Sequence, residues 1–563
     1  MFSLLDRFLP LGLFAHFVLE SLPCRDLTHM EFNDNLYTMI KHSIFTLALL
    51  LTMGALAQTT VKGVVYADRN ANGKKEGREN GISNVAVTNG VQVVLTDNKG
   101  KYELPLSEDQ IISVIKPSQY GVPVDENNLP QFFYIHKPAG SPKLKYDGVA
   151  PTGKLPRSVD FGLLPREENE KFTALIFGDP QPYTLEEVDY FARGVVADLG
   201  DVGHIPFGLS LGDLVGDDLD LFNPYIKALE VVGIPWYNLL GNHDLNFDVE
   251  QDILSDETYE AHFGPANYAF NYGNVHFIVL DDVIYPDPRD GRGYWGGFRE
   301  DQLEFVKNNL KFVPKDKLVV VAFHIPISEP DGDPFRDEDR EKLFDLLKDH
   351  PHTLSLSAHT HLQRHDFMGE QYGWKQKEVH HHYNVGTTSG DWYSGTLDEK
   401  GIPHSTMRDG TPKGYAFLNF DGNQYTIDYK VAGKPADYRM KLFAPKVVAK
   451  GRGTSAGIYA NYFLGGEKDS LTYRIDGGKW KTMRRVEQAD PNYMAMLMEW
   501  DYTEELLPGR RGSNAVLSTH LWRGGIPTDL EVGEHKVEVR VLDMFGREFT
   551  QTTSYRLEEP FKK

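Results

Sequence analysis

The fold is decided by two stretches, PFGLSLGDLVGD at residues 206–217 and IPWYNLLGNHD at residues 234–244. Each begins with an apolar run of strand length and ends in a cluster of polar side chains. Apolar runs of four to eight residues that alternate with helical patterns are typical of buried strands in a layered α/β core. The two stretches therefore predict neighbouring strands that both end in functional groups.

Three further stretches repeat the pattern, namely TALIFGDPQ at 173–181, LVVVAFH at 318–324 and TLSLSAHTH at 353–361. In open α/β sheets, ligands bind beyond the carboxyl ends of the strands. We therefore expect the five polar clusters to lie on one rim of the sheet, although they are far apart in sequence.

The five strand ends carry only oxygen and imidazole ligands: Asp179, Gln181, Asp213, Asp217, Asn242, His243, Asp244, His324, His359 and His361. Taken singly, an Asp after a strand is often a helix cap and an isolated His a satisfied core group. Taken together, they supply what a pair of divalent cations requires, without a cysteine.

In this order the clusters resemble the motifs D-x-H, G-D-x-x, G-N-H-[DE], H and G-H-x-H of the calcineurin-like metallophosphoesterase superfamily. The resemblance extends to residues 263–282 and 293–306, which match the family's strand pair and following helix. It implies a four-layer α/β/β/α catalytic domain over residues 171–430. It also implies hydrolysis of a phosphate mono- or diester by metal-activated hydroxide.

The resemblance assigns seven ligands to two divalent ions, which would be Mn, Fe or Zn. One ion would be held by Asp179, Gln181, Asp213 and His361, and the other by Asp213, Asn242, His324 and His359. Gln181 stands where most members have histidine, and Ala358 where glycine usually stands.

The remaining chemistry is expected from His243, as a proton donor to the leaving oxygen or a stabiliser of its charge. Asp244 is expected to orient the ring of His243. Two roles remain open for Asp217: it either fixes the position of a metal ligand or starts a helix.

The loop after the last ligands, VHHHYNVGTTSGDWYSG at 379–395, suits a rim over the site. Asn384, Asp391 and Trp392 are expected to shape a substrate pocket. We expect His380 to His382 at the surface, because neighbouring residues on a strand point to opposite faces.

Residues 58–165 read as a β-sandwich of short strands broken by glycine and asparagine. Its first loop fits the calcium pattern D-x-[DN]-x-[DN]-G-x5-E, with oxygen side chains from Asp68, Asn70, Asn72, Glu76 and Glu79. A plain polar hairpin loop is the equal alternative. The segment 63–104 also resembles the calcium-binding B-type repeats of bacterial surface adhesins.

Residues 440–563 return to strand alternation and read as a second β-sandwich. The segment 520–549 resembles the carboxyl-terminal domain of secreted metallophosphoesterases. The basic residues Lys479, Lys481, Arg484 and Arg485 are expected on a solvated strand edge. The fold class is therefore multi-domain α+β, with the core flanked by two β-sandwiches.

The amino terminus predicts export. Residues 39–57 contain Lys41, an apolar run and Ala55-Leu56-Ala57, the pattern of a signal peptide that starts at Met39. Residues 1–57 would then be a leader plus signal peptide, and the single cysteine, Cys24, would be lost with it. We expect a periplasmic, secreted or cell-surface protein with no membrane-spanning segment in the mature chain.

The net charge of the chain restricts the kinds of partner that it is expected to bind. The 563 residues include 81 acidic and 59 basic ones, for a net charge of −22, which repels nucleic acid. The expected substrate is a small-molecule, glycan-linked or lipid-linked phosphate ester. The rival function is a surface protein that binds carbohydrate or calcium and carries a degenerate phosphoesterase core.

Overall fold

The computed structural model describes residues 59–328 and 335–561. The predicted leader, signal peptide and Cys24 lie outside these residues. From Thr60 onward the chain forms one compact unit. Within the described ranges, no helix is long and apolar enough to cross a membrane.

The first part of the chain forms two four-stranded sheets, ordered β4-β1-β8-β6 and β3-β2-β5-β7. Their strands are β1 Thr60–Ala67, β2 Ala86–Thr88, β3 Val93–Leu95, β4 Lys101–Pro105, β5 Gln110–Val114, β6 Tyr120–Gly121, β7 Phe133–His136 and β8 Phe161–Pro165. Val61 and Val65 of β1 and Leu104 of β4 are fully buried in a core shared with Val87 of β2. The two sheets of this segment therefore pack against each other through their apolar faces.

The middle of the chain alternates strands and helices. Its strands are β9 Lys171–Phe177, β10 Gly208–Leu211, β11 Trp236–Leu239, β12 Tyr268–Tyr272, β13 Val275–Val279, β14 Val283–Ile284, β15 Trp295–Gly296, β16 Leu318–Ala322, β17 Thr353–Ser357, β18 Arg364–Met368, β19 His380–Asn384, β20 Gly395–Thr396, β21 Gly414–Asp421 and β22 Gln424–Val431. Its helices are α1 Leu185–Gly194, α2 Phe222–Glu230, α3 Glu257–Phe263, α4 Glu300–Leu310 and α5 Asp337–Leu347.

These strands form a five-stranded sheet, β11-β10-β9-β21-β22, and a six-stranded sheet, β12-β13-β16-β17-β19-β18. Both faces of the sheets are buried, which explains why the strands are continuous apolar runs. On β9, Ile176 joins the core between the sheets, whereas Phe177 packs on Phe191 of α1. On β16, Val320 faces inward, and Val321 joins the outer core that contains Leu343 of α5. The predicted four-layer α/β/β/α core is confirmed.

The last part of the chain forms two more sheets, β23-β25-β30-β28 and β24-β32-β31-β26-β27. Its elements are β23 Met440–Phe443, β24 Val447–Ala449, β25 Gly457–Tyr462, β26 Ser470–Ile475, β27 Lys481–Thr482, β28 Arg484–Gln488, α6 Pro491–Tyr502, β29 Gly509–Arg510, β30 Ser518–Gly525, β31 Gly533–Leu542 and β32 Glu548–Glu558. The short strand β29 pairs with β20 of the middle part, which brings residues of the last part beside the strand ends of the core.

Candidate metal centre

The predicted ligands follow directly on parallel strands of the two central sheets. Asp179 comes after β9, Asp213 after β10 and Asn242 after β11, and these three strands run parallel. His324 comes after β16 and His359 after β17, which are also parallel neighbours. The carboxyl ends of both sheets thus open onto one site.

The backbone of the site is unusual. Five of the seven predicted ligands have positive φ angles, namely Asp179 at 31°, Gln181 at 41°, Asp213 at 48°, His359 at 66° and His361 at 53°. For residues other than glycine this region costs about 1–3 kcal/mol each and persists only where the surrounding structure enforces it. Such strain is concentrated at functional sites.

Glycines make the close approach of these turns feasible. A Cβ on Gly241 would lie 2.1 Å from the backbone nitrogen of Asp213, and a Cβ on Gly212 would lie 2.5 Å from Nδ1 of His324. Neither position has room for a side chain. The glycine in each of the motifs G-D and G-N-H therefore lets two ligand turns pack against each other.

One group of ligands surrounds Asp213. Nε2 of His324 lies 3.2 Å from Oδ2 of Asp213 and 3.0 Å from Oδ1 of Asn242. Nδ1 of His359 lies 3.2 Å from Nε2 of His324. Among the described residues, Asp213, His324 and His359 form the one group of three whose ligand atoms all lie within 4.8 Å of one another.

A second group lies around His361. Its Nε2 is 2.8 Å from Oε1 of Gln181 and 3.2 Å from Oδ2 of Asp179. Gln181 therefore presents its amide oxygen, the atom that could bind a metal ion, to the ring of His361. The structure thus places Asp179, Gln181 and His361 together and Asp213, Asn242, His324 and His359 together, whereas the resemblance implies that Asp213 belongs to both sets.

The chemistry of these atoms fits metal ions. Nδ1 of His324 lies 2.8 Å from the Leu211 carbonyl oxygen and Nδ1 of His361 lies 2.7 Å from that of Gly390. A ring nitrogen that donates to a carbonyl leaves the other nitrogen with a lone pair for a metal. Oδ2 of Asp179 is buried and accepts no hydrogen bond. Burial lowers the pKa of His359 to about 3, which favours the neutral ring that ligation requires.

The orientation of His243 differs from the prediction. Its Nδ1 lies 2.7 Å from Oδ1 of Asp217, so Asp217, not Asp244, orients the ring. Asp244 is buried and accepts the backbone N–H groups of Gly241, Leu214 and Val215 at 2.8, 3.1 and 3.1 Å. The role predicted for Asp244 is wrong, because its carboxylate is occupied by the two ligand turns that it holds together.

The charge state of His243 follows from its surroundings. Burial would lower its pKa, but the negative charge of Asp213 and the hydrogen bond with Asp217 outweigh burial and raise the pKa to about 9. The ring packs edge-on against Tyr183, with 5.8 Å between ring centroids. The charges of Asp213 and Asp217 therefore favour the protonated ring of His243, which lines the cleft over the site.

A cleft of about 830 Å³ opens over the ligands. It reaches from Asp213 and His243 to Arg408 and on to Arg485 and Thr519 of the last part of the chain. A cleft of this size accommodates a ligand much larger than one phosphoryl group.

The three residues predicted to shape a substrate pocket lie in three different environments. Trp392 lines the cleft and stacks on His361, with 4.2 Å between ring centroids. Asp391 lines a smaller neighbouring cavity and accepts the backbone N–H of Ser513 at 2.6 Å. Asn384 is fully buried and bonds the hydroxyl groups of Ser357 and Thr360, so its prediction as a pocket residue is wrong.

The loop that carries Trp392 holds the first ligand turn. Thr388 donates its backbone N–H and its hydroxyl to the Gly178 carbonyl, at 2.7 and 3.0 Å. The Ser389 hydroxyl donates to the Asp179 carbonyl at 2.7 Å, and the Tyr393 hydroxyl bonds the Pro180 carbonyl. These contacts, which the sequence did not reveal, explain how Asp179 and Gln181 keep their strained backbone.

The histidines of β19 are not at the surface. His380, His381 and His382 are 1%, 7% and 0% exposed. The prediction of surface positions is wrong because both faces of β19 are covered, one by Phe344 and Trp374, the other by Phe367 and Tyr425.

In the predicted calcium loop, the carboxylates of Asp68 and Glu79 bond the backbone of the loop itself. Asp68 accepts the backbone N–H groups of Asn72 and Gly73 at 3.3 and 2.8 Å, and Glu79 accepts those of Arg69 and Glu76 at 3.2 and 2.9 Å. Asn70, Asn72 and Glu76 are exposed. The loop is thus closed on its own amides, and calcium binding remains a prediction.

Comparison with known proteins covers most of the chain. The model of the calcineurin-like phosphoesterase family matches residues 172–363, and models of the N-terminal and C-terminal parts of calcineurin-like phosphoesterases match residues 69–147 and 382–549. A probable cyclic nucleotide phosphodiesterase of Xenorhabdus bovienii (strain SS-2004) is 22% identical over 193 residues, which are 33% of this chain and 69% of the relative.

Two solved structures are similar at low levels. Purple acid phosphatase from yellow lupin seeds is 13% identical with a TM-score of 0.33, and the match spans 66% of each chain, just under two thirds. GAP50 of Plasmodium is 18% identical with a TM-score of 0.29, over 47% of this chain and 85% of that chain. The family models, not these structures, confirm the predicted class of enzyme, a metal-dependent phosphoester hydrolase. The chain belongs to the calcineurin-like phosphoesterase family.

Proposed function

We propose that the protein is an exported phosphoesterase that hydrolyses a phosphate mono- or diester with two divalent metal ions. The observation that carries the proposal is the division of seven ligand side chains into two groups. Asp179, Gln181 and His361 lie together, as do Asn242, His324 and His359, and the buried carboxylate of Asp213 belongs to the second group and is the proposed bridge to the first.

The metal ions would supply Lewis-acid activation of water and neutralise the charge of the phosphoryl group. The side chains of this protein perform the remaining steps. His243, protonated and held by Asp217, donates a proton to the leaving oxygen. Asp244 ties the turns of Asp213 and Asn242 together through three backbone amides.

No contact among the described residues of the site favours the rival function, which requires a degenerate phosphoesterase core. A core that has lost catalysis would be expected to lose ligand geometry at its weakest position, which is Gln181. The side-chain oxygen of Gln181 instead lies 2.8 Å from Nε2 of His361, as a ligand oxygen should. Export is proposed on the signal-peptide pattern of residues 39–57.

The test is an assay of the chain from Gln58 onward with Mn²⁺, Zn²⁺ or Fe²⁺. Aryl phosphate, bis-aryl phosphate and a cyclic nucleotide, suggested by the name of the bacterial relative, are compared as substrates. We expect hydrolysis of at least one ester that disappears on chelation and returns when metal is restored. Hydrolysis that is indifferent to chelators, or none with any metal, would contradict the proposal.

A further inference from the structure

Arg408 is a cation without a carboxylate partner in the cleft of the metal centre. Among the residues that the structure describes, its only hydrogen-bond acceptor is the Thr360 carbonyl, 3.0 Å from Nη2. Its Nε is buried and has no partner. Its guanidinium carbon lies 5.9 Å from the ring centroid of Trp392. Four of the five N–H groups of this side chain therefore have no acceptor within residues 59–328 and 335–561.

The other arginines of the cleft differ from Arg408. Arg364 donates to Asp366 at 2.8 Å, and Arg485 is exposed and donates to the Thr519 carbonyl at 3.0 Å. In a chain with 81 acidic and 59 basic residues, an arginine without a carboxylate is not explained by a shortage of partners. A partly buried cation usually has a counter-charge, because removing it from water is costly.

The nearest acid in sequence, Asp409, is turned away from Arg408. Its Oδ2 accepts the backbone N–H of Gln363 at 2.8 Å and lies 3.0 Å from Nε2 of His520, while its Oδ1 accepts from Thr411 at 2.8 Å. The Arg408 carbonyl in turn accepts the N–H of Val516 at 3.2 Å. The backbone of the loop is thus anchored on both the ligand turn and the last part of the chain, and the Thr360 carbonyl holds Nη2 of the guanidinium.

The location of Arg408 indicates what it binds. Thr360 lies between the predicted ligands His359 and His361, and Val516 lines the same cleft. In the proposed mechanism the metal ions and His243 would supply the positive charge for the reacting phosphoryl group. The backbone contact with Val516 places Arg408 beside the part of the cleft that Val516, Leu517 and Thr519 line. A second anionic group of the substrate would find its counter-charge there.

We propose that Arg408 binds an anionic oxygen of the substrate outside the phosphoryl group that is hydrolysed. The inference rests on the proposed phosphoesterase function and narrows its substrates to phosphate esters that carry a second negative group. That group is a carboxylate or a second phosphate, both of which match the forked donors of a guanidinium.

The experiment compares three esters with similar phenolic leaving groups: phenyl phosphate, 4-carboxyphenyl phosphate and 1,4-phenylene bisphosphate. The wild type with its best metal should prefer at least one of the two doubly anionic esters, and the preferred one identifies carboxylate or phosphate. In Arg408→Gln, this preference in kcat/KM should fall by about tenfold or more, mainly through KM, because a charge-assisted pair is lost. Arg408→Lys, which keeps the charge but not the fork, should retain part of the preference.

Arg485→Gln is the matched control, because Arg485 lines the same cleft and also bonds one backbone carbonyl, but is exposed, so that water compensates its charge. It should keep the wild-type preference. Equal losses on all three esters in Arg408→Gln, an unchanged preference, or no preference in the wild type would each overturn the inference while leaving the phosphoesterase function intact. Absence of hydrolysis by the wild type with every metal, on these three monoesters and also on the bis-aryl phosphate and the cyclic nucleotide, would instead overturn the function and the inference with it.

Discussion

Two sets of three histidines lie on neighbouring strands of the six-stranded sheet, and they differ in what their ring nitrogens face. The ligand histidines, His324, His359 and His361, follow the ends of β16 and β17. The strand histidines, His380, His381 and His382, lie within β19, which pairs in parallel with β17. Both sets are mostly buried, so burial alone does not distinguish them.

The strand histidines have complete protein partners along a hydrogen-bonded ladder. The hydroxyl of Ser355 lies 2.7 Å from both Nε2 of His380 and Nδ1 of His382, and the hydroxyl of Ser357 lies 2.9 Å from Nε2 of His382. Ser357 then donates to Asn384 at 3.0 Å. One direction of donation satisfies every member when the two rings carry their proton on Nε2. The ladder is therefore an internal polar network of the sheet.

The ligand histidines turn one ring nitrogen toward other ligand atoms instead of toward a ladder of hydroxyl groups. Nε2 of His324 faces Asp213, Asn242 and Nδ1 of His359, all within 3.2 Å. His359 and His361 are held in the left-handed region of φ, and no strand histidine is. The contrast teaches that adjacent histidines in a sequence do not indicate a metal site. Ring nitrogens that converge on other ligand atoms from a strained backbone do.

The largest effect on activity is expected from a change in a proposed metal ligand, Asp213→Asn. Loss of the shared carboxylate removes a charge from both proposed ions, and kcat/KM should fall at least about a thousandfold. Metal content per chain should fall with it, measured after gel filtration. Asp189→Asn, an exposed change on α1, is the control and should match the wild type. A loss of less than about tenfold in kcat/KM would place the catalytic centre elsewhere.

A substitution among the strand histidines should lower the stability of the fold and leave the enzymatic activity unchanged. In His382→Leu, the hydroxyls of Ser355 and Ser357 lose their shared partner inside the sheet. The free energy of unfolding should fall by about 2–4 kcal/mol, since buried polar groups are left unsatisfied. Urea unfolding measures this loss, and His382→Gln should lose less.

The same His382→Leu protein separates the two sets of histidines in an assay. Metal-dependent hydrolysis by the folded fraction should be retained, because no ring of the strand histidines faces a ligand atom. Loss of bound metal in this variant, as in Asp213→Asn, would erase the distinction between the two sets.

Several of these features could be predicted from the sequence because they depend on local patterns. An apolar run that ends in a polar cluster predicts a buried strand and a residue at its carboxyl end, and the structure brings the clusters of Asp179, Asp213, Asn242, His324 and His359 together. Strand alternation also correctly separated His381 from its two neighbours. It did not show that both faces of β19 are covered, because that depends on how Trp374 and Tyr425 pack.

Other features depend on three-dimensional packing that no local pattern records. Asp217 and Asp244 both follow strand ends, and only the course of the two turns decides which carboxylate reaches His243. Arg408 lies beyond the last motif and reaches the site because Val516 and His520 anchor its loop. Sequence patterns therefore predicted the residues at strand ends better than the contacts between loops.

The smallest effect concerns the proton balance of the strand histidines. Burial lowers the pKa of His380 to about 3, well below the value of about 6.5 expected in the unfolded chain. Between these values the unfolded chain binds the proton and the folded protein does not. The stability that this neutral ring contributes is therefore complete above about pH 6.5 and is lost as the pH falls toward 3.

In His380→Gln this titration is absent. The free energy of unfolding should therefore depend less steeply on pH between about 5 and 6, by up to about 1.4 kcal/mol per pH unit. Urea unfolding at pH 5, 6, 7 and 8 measures both slopes, and above pH 7 the two proteins should run parallel, because His380 is neutral there in both states. An identical slope in the acid range would mean that His380 is charged inside the sheet. A charged ring has no lone pair on Nδ1, so it could not accept the hydroxyl of Thr353 there.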